Sequence, residues 1–141
     1  MRQVRVSLAG HHAYQLYAHI TWHTWKRVGC VNRGAARDVI IAVECAARRT
    51  STTVLRSAVL ADHVHVLLSF RPDTRLSDFV RLAKTIAAFR ANRRLAGMIK
   101  WARGFYAASL HKKVLPAVDR YIMSQHDRHP DRIPRPNRRS S

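Results

Sequence analysis

Asp62-His63-Val64-His65-Val66-Leu67-Leu68-Ser69-Phe70 is the stretch that decides the fold. It is dominated by β-branched and apolar residues, and strand alternation places His63 and His65 on one face and Val64, Val66, Leu68 and Phe70 on the other. Two such positions stand ~7 Å apart along a strand, close enough for tilted imidazoles to share one divalent cation. Two histidines on the wet face of a half-buried strand satisfy the same pattern without a metal. The triplet therefore needs support from elsewhere in the chain.

Working outward, residues 52–60 form a second strand rich in Thr and Val, and the Ala61-Asp62 step is short enough for a hairpin between the two. On the other side, Arg71-Pro72-Asp73-Thr74 is a turn into a helix whose buried stripe is Leu76, Phe79, Val80, Ala83, Ile86 and Ala87, with Gly97 as its stop. Further upstream, Asn32 caps a helix reaching Arg49, with Val39, Ile40, Val43 and Ala47 at burial spacing. Before it, residues 14–25 alternate. Leu16, Ala18, Ile20 and Trp22 share one face of that strand, while Tyr17, His19, Thr21 and His23 share the other. His19 and His23 have no C-x-x-C partner and read as polar residues bordering a groove rather than as a zinc pair.

Residues 100–110 read as a fourth strand. Pro116 then opens a last helix ending near His129, and the proline- and arginine-rich residues 130–141 read as a disordered basic tail. The chain is thus expected to be one domain, 1–129, plus that tail. The order strand, helix, strand, strand, helix, strand predicts an α+β fold, a ferredoxin-like split βαββαβ antiparallel sheet with an additional C-terminal helix. The apolar side of the His63 strand packs on the helices. Both imidazoles then face the open side, where Tyr17, His19 and Thr21 join them.

Charge limits the partners. With 26 Lys plus Arg against 8 Asp plus Glu, the net charge is +18 and the pI about 11.6, which favours a polyanion. Most of that charge is arginine, whose planar fork suits phosphate oxygens and bases. Arg81, Lys84, Arg90, Arg93 and Arg94 lie outside the buried stripe of the second helix or crowd its end, and with Arg103 they are the candidate nucleic-acid contacts. Cys30 and Cys45 suggest no disulfide framework and fit a reducing compartment. The first residues lack the apolar run of a signal peptide, and the run from Val39 to Val43 is too short to span a bilayer. A cytoplasmic protein without a membrane partner is expected.

The last helix supplies the missing support. Tyr121 and Gln125 lie four residues apart on one face, with Val118 and Ile122 on the neighbouring apolar stripe. A phenol of pKa near 10 is a weak nucleophile at neutral pH, but an adjacent cation stabilises the phenolate and neutralises charge on a phosphate. Two imidazole nitrogens and an amide oxygen, with open positions left for phosphate and water, suit Mg²⁺ or Mn²⁺.

His63-Val64-His65, Tyr121-x-x-x-Gln125, Trp101-x-Arg103-Gly104-x-Tyr106 and the element order together resemble the single-tyrosine HUH transposases of small bacterial insertion sequences, including the REP-associated tyrosine transposases. The resemblance spans roughly residues 14–129. It implies His63, His65 and Gln125 as ligands of Mg²⁺ or Mn²⁺ and Tyr121 as the nucleophile. It further implies cleavage of single-stranded DNA through a 5′-phosphotyrosine, rejoining by reverse attack, recognition of hairpins at the ends of a mobile element, and a homodimer in which the tyrosine helix can complete the partner's site. The Arg-rich tail and the lead-in with His11 and His12 depart from the family pattern.

The rival reading is a non-catalytic RNA-binding module of the same fold. Arg103-Gly104-Phe105-Tyr106-Ala107 begins like the aromatic RNA-contact motif of such domains. That motif belongs on the third strand, whereas this segment follows the second helix, and Ala108 and Ser109 break its pattern.

Overall fold

The computed structural model describes residues 14–95 and 97–137; His11 and His12 lie outside them. Four strands, β1 (Leu16–His23), β2 (Thr53–Val59), β3 (His63–Phe70) and β4 (Tyr106–Leu110), form one antiparallel sheet in the order β2-β3-β1-β4. Helices α1 (Arg33–Arg49) and α2 (Leu76–Arg94) follow β1 and β3. This is the expected split βαββαβ arrangement, with the His63 strand and β1 at its centre.

The α1/α2 layer buries one face of the sheet. Ala18, Ile20 and Trp22 of β1 and Val64, Val66 and Leu68 of β3 join Val39, Val43, Phe79, Val80, Ala83 and Ala87 in the main core, as the alternation of both strands dictates. Asn32 caps α1 by accepting from the Ala35 N–H at 2.9 Å. Ile40 departs from expectation. It is 47% exposed, because small residues, Ala42 and Ala46 beside Val39 and Val43, occupy the tight α1–α2 seam.

The opposite face carries a smaller apolar cluster. There α3 (Leu115–Met123) lies over Tyr17 and Leu67 through Leu115 and Ile122, with Leu55, Ala58 and Val118 alongside. A bulge between Val54 and Arg56 turns Arg56 toward α3, where it makes a two-pronged bond with Asp119 at 2.7 and 3.3 Å. Across this face, Thr21 stands opposite His65 and His23 opposite His63.

Three expectations need correction. The fourth strand starts at Tyr106, not at 100: Trp101 makes only an isolated bridge to Thr24, and Gly104, at φ +80°, breaks the run. The last helix is not continuous, since α3 ends at Met123 and a short α4 (Gln125–Arg128) follows a break at Ser124. Nor is the tail disordered over residues 130–137. After a 3-10 turn, Pro130–Arg132, the chain runs back along the start of α1. Arg132 O accepts from Ala61 N at 2.7 Å, Arg135 O from Arg33 N at 2.8 Å, and Asn137 Oδ1 from Gly34 N at 2.8 Å. The last two satisfy N–H groups that the first turn of any helix leaves without an internal partner, and the first ties the tail to the β2–β3 turn.

Candidate active site

A cleft of about 240 Å³ opens on the α3 side of the sheet, lined by His63, His65, Tyr121, Gln125, Thr21, His23, Arg27, His129 and Arg132. Sheet register sets the histidines and the α3–α4 break sets the other two candidates. Ser124 Oγ donates to Tyr121 O at 2.8 Å and Gln125 Nε2 donates to the same carbonyl at 3.2 Å, so side chains replace the helical bond that the break removes. His126 Nε2, 2.9 Å from Val59 O, pins α4 to the sheet.

The expected convergence of Tyr121 with the paired imidazoles is present within one chain. The Tyr121 ring stands edge-on to His65, centroids 5.8 Å apart, and to His19 at 6.0 Å. Tyr121 is 39% exposed, and the Arg128 guanidinium lies 5.2 Å from its ring centre. The His63 and His65 rings are 4.9 Å apart.

Burial holds these imidazoles neutral. His65 is pushed down to about 3, by burial first and then by the charges that His63 and His19 would carry. Burial also lowers His63, against the opposing pull of Asp62, and lowers His19. Asp62 Oδ1 lies 2.7 Å from His63 Nδ1, so the carboxylate accepts a hydrogen bond from Nδ1–H and leaves the Nε2 lone pair free. His65 Nδ1 lies 2.9 Å from His19 Nε2; with the proton on Nδ1, the Nε2 of His65 is free in the same way.

Gln125 completes the fit to a cation. It is fully buried, and its Oε1 has no hydrogen-bond partner, although such an atom normally demands one. Among the described residues no three His, Cys, Asp or Glu side chains form an ion-holding group. Two neutral imidazoles and an orphaned amide oxygen lining one cleft do suit a hard divalent ion with open positions.

The six basic candidates lie outside the cleft. Arg90 Nε donates to the buried Asp38 at 3.2 Å and Arg94 pairs with the same carboxylate, joining α2 to α1. Lys84 Nζ donates to Ala102 O and Gly104 O, at 2.9 and 2.6 Å, and so clamps the loop before β4. Arg81 faces Asp78 at 3.9 Å, Arg93 lies over Phe89, and Arg103 is exposed. Sequence reasoning missed Arg27, His129 and Arg132 in the cleft. Arg132 sits 3.6 Å from Asp62, which no local pattern announces across seventy positions of chain.

Residues 12–125 match the family model described as Transposase IS200 like. The chain belongs to the IS200-like transposase family. Among its relatives, the ISDra2 transposase TnpA of Deinococcus radiodurans is 29% identical over 128 residues, covering 83% of this chain and 89% of that protein. In fold it is similar to a Deinococcus radiodurans protein described as a transposase, with a TM-score of 0.63 at 22% identity, covering 89% of this chain and 98% of the other. It is also similar to a REP-associated tyrosine transposase solved bound to a REP hairpin, with a TM-score of 0.65 at 16% identity, covering 92% and 74%. The RNA-module reading gives way to this membership. Its motif-like segment is split in this transposase between the Gly104 loop and the edge strand β4. Among the described residues no helix is long and apolar enough to cross a membrane.

Proposed function

We propose that this IS200-like transposase cuts and rejoins single-stranded DNA at hairpin-bearing ends of a mobile element, with Tyr121 as nucleophile. The observation that carries the reading is the Tyr121 ring 5.8 Å from His65, in a cleft that also holds the orphaned Gln125 Oε1. His63, His65 and Gln125 would hold Mg²⁺ or Mn²⁺. When bound, the cation supplies charge neutralisation at phosphate and a lowered phenol pKa.

Tyr121 Oη attacks phosphorus, the P–O3′ bond breaks, and O3′ leaves as a free hydroxyl after taking a proton. The 5′ phosphate stays on Tyr121. Rejoining reverses this: a 3′ hydroxyl attacks the phosphotyrosine and the phenol departs. Storing the phosphodiester in a covalent ester needs no ATP. Asp62 and His19 orient the two imidazoles, and Arg27 and Arg132 bring positive charge to the cleft where phosphate must sit. Single-stranded DNA is the substrate and a homodimer the working form.

Incubation with labelled single-stranded DNA and Mn²⁺ or Mg²⁺ should give an adduct that survives boiling in detergent and disappears in Tyr121→Phe. His65→Ala should lose cleavage but keep hairpin binding, which rests on basic side chains. An adduct that persists in Tyr121→Phe, or none with either ion, overturns the reading.

A further inference from the structure

The turn leaving β1 has features the cleavage chemistry does not use. Thr24 is fully buried, yet the next residue, Trp25, leaves its indole 45% exposed. The main chain fixes that position. Thr24 N donates to Asp62 O at 2.9 Å and Trp25 N to Lys100 O at 2.8 Å. Backbone bonds to two neighbouring segments thus fix the point at which the Trp25 side chain leaves the main chain.

Its surroundings are cationic. Lys100 Nζ lies 4.9 Å and Lys26 Nζ 5.9 Å from the indole centre. The two residues that follow, Lys26 and Arg27, both adopt left-handed backbone, at φ +52° and +53°. Non-glycine residues avoid that region, and two in succession hold a sharp reversal at a cost that functional sites commonly bear. The reversal delivers Arg27 into the cleft beside His63 and Tyr121. A partly exposed aromatic ring, two ammonium groups beside it and a guanidinium in the cleft thus follow one another from the surface toward the proposed scissile phosphate.

A single strand of DNA offers the complement, since its unpaired bases stack on aromatic faces while its phosphates seek cations. A duplex hides those base faces. We infer that Trp25 is a stacking platform for an unpaired base next to the phosphate at Tyr121, with Arg27 and Lys100 holding the backbone that joins them. The inference rests on the single-strand reading of the cleft and adds where the strand enters it.

Two fluorescent probes test it without turnover: an oligodeoxythymidylate, and a strand of equal length with abasic sites throughout. Full-length protein should bind the base-bearing strand more tightly. Trp25→Ala should weaken that binding roughly tenfold while leaving abasic binding unchanged, and Trp25→Tyr should restore most of the preference. An equal loss on both strands means a general structural effect and overturns the platform, as does no loss on either. If neither strand binds, the single-strand reading falls with it; if both bind and the adduct of Tyr121 forms but Trp25→Ala changes nothing, only the platform falls.

Discussion

His19 Nε2 lies 2.9 Å from His65 Nδ1, with the two rings stacked at 18°. The contact is diagonal across the β1–β3 pair, since Thr21 rather than His19 stands opposite His65. Removing the partner frees the His65 ring to rotate and its proton to move to Nε2, the nitrogen the proposed cation would use. His19→Ala should therefore raise the Mn²⁺ concentration for half-maximal cleavage by about 10–100-fold, with single-strand affinity in chelator unchanged. An unaltered Mn²⁺ requirement would remove His19 from this orienting role.

The neutral imidazoles also set a dependence of stability on pH. His65 titrates at about 3 in the folded chain against an ordinary 6.5, so in the window between those values the unfolded chain binds a proton that the folded chain refuses. Stability is full above about 6.5 and is lost as pH falls through the window; His63 and His19, also lowered, act in the same direction. In chelator, urea unfolding near pH 4.5 should give a stability on the order of 2 kcal/mol below that near pH 7. His65→Gln should flatten that difference. An equally steep loss in the variant would place the acid sensitivity elsewhere.

Local patterns made the sheet legible. Period-two alternation in β1 and β3 identified both the helix-covered face and the histidine face, and Tyr121 and Gln125 lie in one cleft as their spacing implied. What stayed hidden depends on distant partners. Arg90 and Arg94 look like free cations on a helix, and only the packing of α2 on α1 shows that Asp38 holds them. Proline and arginine after His129 carry no apolar period, yet the backbone there finds fixed donors at the start of α1. The break at Ser124 escaped notice because serine is tolerated within helices; its side chain stands in for the missing bond and also accepts from Arg128 Nε at 2.7 Å.

Truncation after His129 should have two separable effects. It removes the acceptors for Ala61, Arg33 and Gly34 N–H and the Arg132 contact with Asp62, which should lower stability by about 2 kcal/mol in urea unfolding. It also removes four arginines; if they touch phosphate, the fall of log affinity with log salt should become shallower. Unchanged stability would mean that these tail contacts are not maintained in solution; an unchanged slope would deny the tail its electrostatic part.

The basic residues of α2 should divide by what they touch. Asp38 is 4% exposed, and both Arg90 and Arg94 bond to it across the α1–α2 seam. Losing the carboxylate strands two guanidinium groups beside the core, although their own exposure softens the loss. Asp38→Ala should cost about 1–2 kcal/mol, and Arg90→Ala should likewise register in unfolding more than in DNA binding. Arg81, Arg93 and Arg103 have no such buried partner. If they touch phosphate, each alanine variant should lower the salt slope by about one and leave unfolding unchanged. A fall in slope as large for Arg90→Ala as for Arg103→Ala would erase the division, because it would show the Asp38-held guanidinium reaching DNA as freely as an exposed one.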